Sequence, residues 1–107
     1  MIIDHRTYTL HPGKINDFLT IYEKQGWPLQ LKYLGDCRGW YVSMDIGELN
    51  QVVHLWAYKD IADRAERRAR LNADSDWHQY LAAGAPLLQR MENKIVTLAP
   101  FYASQST

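Results

Sequence analysis

An α+β fold, a four-stranded antiparallel sheet with helices packed on one side, is what this sequence predicts. Three observations carry that expectation. Residues 50–58, Asn-Gln-Val-Val-His-Leu-Trp-Ala-Tyr, are dominated by β-branched and aromatic residues and punctuated at their ends by Gly47 and Asp60, as a central strand requires. Segments with apolar residues at helical spacing lie on both sides of it in the chain. The strand and helix patterns follow one another as β-α-β-β-α-β, the order of the ferredoxin-like split arrangement.

Taken in order, residues 2–10 alternate, with Ile3, His5, Thr7 and Thr9 on one face and Asp4, Arg6, Tyr8 and Leu10 on the other. Pro12-Gly13 forces a turn. Ile15, Phe18, Leu19 and Tyr22 then recur at helical spacing within residues 14–25. Gly26 is placed to end that helix and Trp27-Pro28 to block its continuation, because proline disfavours the helical region for the residue before it. Residues 29–34 read as a short second helical piece closed by Gly35. Residues 37–46 form the second strand, with Trp40, Val42, Met44 and Ile46 on one side and Tyr41, Ser43 and Asp45 on the other. The brief Gly47-Glu48-Leu49 connection makes the second and third strands a hairpin.

Asp60 then reads as an N-cap with Asp63 in the first turn, where a carboxylate favours the helix dipole. Ile61, Ala62, Ala65 and Ala69 form a narrow stripe toward the sheet. The arginines around it suggest a phosphate site or, on simpler grounds, a solvated face laced by the i,i+4 pairs Asp63–Arg67 and Glu66–Arg70. Asp74-Ser75 offers fresh caps for a helix whose apolar face runs from Trp77 through Tyr80, Leu81, Gly84 and Leu88 to Met91. Pro86 should kink or split that helix, since it lacks the N–H and crowds the preceding turn. Residues 94–98 form the last strand, and residues 103–107 a small polar tail.

Size and composition exclude several classes. The 107 residues make one domain, residues 1–107, and bury roughly 65% of the unfolded surface. A formal net charge of zero provides no field for nucleic acid or an anionic membrane. The lone Cys37 rules out an internal disulfide and points to a reducing compartment, the cytoplasm. The chain starts directly on a strand pattern, so no signal peptide is expected, and no apolar run approaches the ~20 residues of a membrane span. No metal centre or cofactor is implied, because the histidines are scattered and no glycine-rich phosphate loop, nucleophile elbow or paired-carboxylate motif occurs.

On the central strand, Val53, Leu55 and Ala57 make a small aliphatic face suited to packing against helices. Val52, His54, Trp56 and Tyr58 make a bulky face with polar handles, suited to a chamber. With Trp40, Val42 and Met44 beside it, that second face is an apolar patch too large for a monomer, and pairing two such sheets covers it. A homodimer is therefore expected.

With the elements placed, several segments resemble one family. Arg6-Thr7-Tyr8-Thr9-Leu10 with Pro12-Gly13, the block from Gly47 through His54-Leu55-Trp56-Ala57-Tyr58, Ala62-Asp63-Arg64-Ala65-Glu66-Arg67-Arg68 and the closing Ala99-Pro100-Phe101 are similar to the NIPSNAP family. His5 departs from the resemblance, standing where an apolar residue is expected. The resemblance implies a dimeric α+β barrel, two ferredoxin-like subunits joining their sheets around a central cavity, and implies no particular chemistry.

His54 is the sharpest candidate for a functional residue, as a base or a ligand anchor in a largely apolar chamber. The plainer alternative is a histidine satisfied by one buried hydrogen bond. Arg6 can clamp an anion or pair with Asp4 or Asp45. Tyr8, Trp56, Tyr58 and Trp40 complete the expected ligand-binding set, in a chamber between the two sheets. A placement of His54 on the helix-packed face removes the site reading. The function expected is a homodimeric barrel binding a small organic molecule, an anionic one included. The alternatives are a cofactor-independent oxygenase or isomerase on the same barrel, which rests on fold analogy, and an interaction module recruiting a partner through the charged helix.

Overall fold

A computed structural model describes residues 1–104. The chain runs β1 (Ile2–Leu10), α1 (Ile15–Ile21), a π-helical turn (Tyr22–Gly26), α2 (Trp27–Leu34), β2 (Asp36–Val42), β3 (Gln51–Tyr58), α3 (Ile61–Asn72), α4 (Ser75–Gly84), a 3₁₀ turn (Ala85–Leu87), β4 (Leu88–Val96) and α5 (Pro100–Ala103). All strand pairs are antiparallel in the order β2-β3-β1-β4, so β1 and β3 are the central pair expected of the ferredoxin-like arrangement. Arg6 stands directly opposite His54, and Trp40 opposite His54 on the other side.

The helices and the strand ends depart from the sequence reading at three places. The helix does not stop at Gly26. It widens into a π turn in which the Trp27 N–H bonds the Tyr22 carbonyl, and continues through Pro28. Widening relieves the crowding that a proline imposes on the carbonyl of the preceding turn, and Pro28 sits in the first turn of α2, where its missing N–H costs little. Gly26 is required for a different reason: a Cβ there would lie 3.0 Å from the Tyr80 ring. Gly35 closes α2 as expected, at φ 85°.

β2 ends at Val42, not at residue 46, so Met44 and Ile46 belong to an exposed loop and not to a sheet face. Asn50, at φ 62°, turns the chain into β3. The break at Pro86 is where the sequence puts it, but α4 ends at Gly84 and Leu88 and Met91 lie in β4, which starts earlier than residue 94. Asp60 and Asp74 cap α3 and α4, accepting from the backbone N–H of Asp63 and Asp76. Of the polar tail, Ala103 belongs to α5 and residues 105–107 lie outside the described residues.

The largest correction concerns the faces of the sheet. Val52, His54, Trp56 and Tyr58 are buried, as are Asp4, Arg6, Tyr8 and Leu10 on β1. Trp27 of α2 packs on Trp56 at 5.9 Å, and Tyr22 on Trp40 and His54. This bulky face is the helix-covered one. The face of Val53 and Leu55, with Ile3, His5, Thr7 and Tyr41, is half-buried or exposed. Period-2 alternation separates two sets of residues without saying which set the helices choose. The helices here carry their own aromatic residues, Phe18, Tyr22, Trp77 and Tyr80, and these pack with the bulky set into one core.

Candidate functional site: a cavity between sheet and helices

Beneath the helices lies a cavity of about 160 Å³. Its floor is the sheet, with Arg6 and Tyr8 from β1, Trp40 from β2 and His54 from β3. Its roof comes from the helices, with Phe18, Tyr22, Gln30, Arg68, Trp77 and Tyr80. Leu81, Ala85 and Met91 also line it and are exposed, so its mouth opens between the end of α4 and β4. A second, open recess of about 380 Å³ lies on the far side of Tyr22 and Trp40, lined also by Leu19, Glu23 and Trp27.

His54 is 1% exposed. Its Nδ1 accepts a hydrogen bond of 2.7 Å from Trp56 Nε1. An indole N–H can only donate, so the neutral ring carries its proton on Nε2. Burial first, and then the Arg6 guanidinium, push the His54 pKa down to about 3. The ring is therefore neutral at pH 7 and offers a donor, not a basic lone pair, at Nε2. That nitrogen has no hydrogen-bond partner among the described residues. Trp40 stacks on the ring at 5.1 Å and Tyr8 meets it edge-on at 4.9 Å, which fixes its orientation.

The cationic side of the site is organised by Asp4. Its carboxylate is fully buried and accepts from Arg6 Nη1 and from Arg64 Nε, both at 3.0 Å. Burial alone would raise its pKa, but the two guanidiniums outweigh it and hold the carboxyl below its ordinary value. Arg6 Nε donates to Tyr8 Oη at 2.8 Å. Arg68 has no such anchor. Its Nη1 is buried without a partner, and it lies near Tyr58 Oη, also unpartnered, without reaching hydrogen-bond geometry. Tyr22 Oη donates to Gln30 Oε1 and accepts from Trp40 Nε1 at 3.1 Å. Burial raises the pKa values of Tyr22 and Tyr80, so both phenols remain protonated.

The expected site residues thus meet, but in a different chamber. Arg6, Tyr8, Trp40 and His54 line the cavity under the helices, Trp56 stands behind His54 as its donor, and Tyr58 lies beyond the lining. The reading of these residues as a site in a chamber between two sheets is withdrawn, because His54 and its neighbours lie on the helix-packed face. The Arg6–Asp4 pairing is present, while Asp45 lies on the exposed loop. Asp63–Arg67 and Glu66–Arg70 form as expected, at 2.9 and 4.0 Å. The same helix, however, sends Arg64 and Arg68 inward. Their i,i+4 spacing was the available signal, hidden within a run of arginines. Tyr22, Trp77 and Tyr80 were legible only as apolar stripe, and Gln30 was missed. Among the described residues no group of histidine, cysteine or carboxylate side chains can hold a metal, and no helix is long and apolar enough to cross a membrane.

Comparison with known proteins places this architecture. The family model for NIPSNAP matches residues 3–103. Human Protein NipSnap homolog 3A is 33% identical over 99 residues, covering 92% of this chain but only 39% of that protein, so the chain spans about two fifths of its relative. A crystal structure of a NIPSNAP family protein with unknown function from Agrobacterium tumefaciens superposes with a TM-score of 0.86 at 40% identity, covering 94% of this chain and 92% of that one. An uncharacterized NIPSNAP-like domain protein from Burkholderia xenovorans gives 0.88 at 44%, covering 94% and 86%. An antibiotic biosynthesis monooxygenase shares the fold alone, at a TM-score of 0.63 and 13% identity over 94% of this chain and all of that one. Matched along nearly its whole length in sequence and in fold, the chain belongs to the NIPSNAP family.

Proposed function

We propose that this protein is a homodimer in which each subunit holds one small organic molecule in the cavity beneath its helices. The observation that carries the reading is His54. It is held rigid by Trp56, Trp40 and Tyr8, is neutral at physiological pH, and carries an unmet N–H on a ring that lines a cavity walled by aromatic side chains. Leaving a buried donor unmet costs about 1–3 kcal/mol, so an acceptor that enters the cavity recovers that energy on binding. The pattern of mostly apolar walls with a few converging polar groups is that of small-molecule sites generally. His54 serves here as a hydrogen-bond donor to the ligand, with Arg6 and Tyr8 as neighbours. Support for the dimer comes from Ile3, Val53, Leu55 and Tyr41 on the sheet face away from the helices. The 13% identity to a monooxygenase bears on the fold alone and lends the enzymatic alternative no support.

Native mass spectrometry tests the reading. Gently purified protein is expected at twice the 12.5 kDa subunit mass, plus a co-purified compound of low mass. That added mass is expected to vanish in Leu88→Trp, because Leu88 also lines the cavity and an indole there fills it. An empty subunit, or an added mass that survives Leu88→Trp, contradicts it.

A further inference from the structure

We propose that the cavity takes a small organic carboxylate with a single-ring body, received by the Arg68 guanidinium and the His54 Nε2–H. The proposal rests on the cavity-binding reading above and names the chemistry of the ligand.

Three observations support it. Two buried nitrogens at the cavity residues, His54 Nε2 and Arg68 Nη1, lack any hydrogen-bond partner, and both are donors. Tyr58 Oη, the free hydroxyl near Arg68, lies beyond the lining and out of hydrogen-bond geometry, so an acceptor placed in the cavity would meet both donors. The charges point the same way. No aspartate or glutamate is among the residues that line the cavity, whereas Arg6 and Arg68 both are. The nearby carboxylate of Asp4 is already committed to Arg6 and Arg64, and among the described residues Arg68 joins no ion pair. Arg68 is half-buried beside the cavity with no carboxylate partner among the described residues, and an anion in the cavity would supply one. A guanidinium matches a planar carboxylate with two parallel donors.

Size and lining then restrict the body of the ligand. An apolar cavity of about 150 Å³ in another protein is known to accept benzene. The 160 Å³ here accommodates one such ring with a short polar group. Phe18, Trp40, Trp77 and Tyr80 present aromatic faces and edges to it. A highly charged phosphate ester would need more donors than His54 and Arg68 leave unused. A fused polycyclic acid exceeds the volume.

The test uses benzoate and benzyl alcohol, two ring compounds of nearly equal size, only one of them charged. Titration calorimetry on the intact protein is expected to show benzoate binding at least tenfold tighter than benzyl alcohol. Arg68→Gln should weaken benzoate tenfold or more and leave benzyl alcohol within twofold. Without ligand, Arg68→Gln should unfold at the wild-type temperature or above it, because it removes an uncompensated cation. A residue with a structural role would instead lower the midpoint.

Benzyl alcohol binding as tightly as benzoate, in a manner blocked by Leu88→Trp, overturns the carboxylate and leaves the cavity reading standing. Failure of both compounds to bind overturns the proposal, and a co-purified mass lost in Leu88→Trp still decides the cavity reading separately. Unaltered benzoate affinity in Arg68→Gln overturns Arg68 as the anchor. The comparison of the two probes on the wild-type protein decides the carboxylate question even if the variant fails to fold.

Discussion

The two faces of one sheet have opposite characters, and not in the way their composition suggests. The face bearing Val53 and Leu55 on β3 is aliphatic along that strand, carries His5, Thr7, Glu92 and Lys94 beside it, and is half-exposed. The face bearing Asp4, Arg6, His54, Trp56 and Tyr58 holds charges, an imidazole and phenols, yet it is the buried one. Burying polar groups is costly unless they bond one another. Here they do so nearly completely, through Asp4 with two arginines, Arg6 with Tyr8, and Trp56 with His54. Of the four buried atoms left without a partner among the described residues, His54 Nε2 and Arg68 Nη1 belong to residues that line the cavity, while Tyr58 Oη and His5 Nδ1 do not. Two unmet donors on residues around one hollow fit the binding site proposed there.

Mutations on the two faces should therefore diverge. The largest effect is expected for Trp56→Ala, which empties a site that is 0% exposed and removes the donor to His54. It should cost about 3–5 kcal/mol in urea unfolding. Asp4→Ala should cost about as much, because it strands two guanidiniums around a buried position. On the opposite face, Leu55→Asp should leave each subunit folded and shift its light-scattering mass from dimer to monomer. A loss of folding there, comparable to that of Trp56→Ala, would erase the contrast between the faces.

The order of elements, the central β1–β3 pair, the caps at Asp60 and Asp74 and the break at Pro86 were all legible in the sequence, because each depends on a local rule of spacing, side-chain chemistry or a missing N–H. The choice of face was not. Val52-His54-Trp56-Tyr58 resembles a surface waiting for a partner only while the aromatic residues of the helices are out of view. Gly26 misled for a related reason. Its role is long-range, a close approach to Tyr80, while its sequence neighbourhood signals a helix end. Gly26→Ala measures that contact directly. A Cβ at 3.0 Å from the ring forces Tyr80 to shift, and a cost of about 1–3 kcal/mol is expected. No change in stability would show that the π turn, not the contact, selects glycine.

A pH-dependent effect tests the buried imidazole. The unfolded chain takes up a proton on His54 near pH 6.5, whereas the folded protein resists protonation down to about pH 3. Stability contributed by this residue is thus fully present above pH 6.5 and lost as pH falls, by about 1.4 kcal/mol per unit. Below the ordinary aspartate range, protonation of Asp4 adds to the loss. His54→Gln should flatten the profile between pH 6 and the onset of aspartate titration. The smallest effect is expected for Glu66→Gln, which removes an exposed pair of 4.0 Å on the outer side of α3 and should change stability by less than about 0.5 kcal/mol.

The side-chain nitrogen resonances of His54, followed by long-range ¹⁵N–¹H correlation from pH 8 down to pH 4, test the central claim most directly. A neutral ring protonated on Nε2 throughout that range, with the Nε2 signal displaced when a ligand fills the cavity, is the predicted result. An imidazolium by pH 6, or a neutral ring with its proton on Nδ1, would contradict the account.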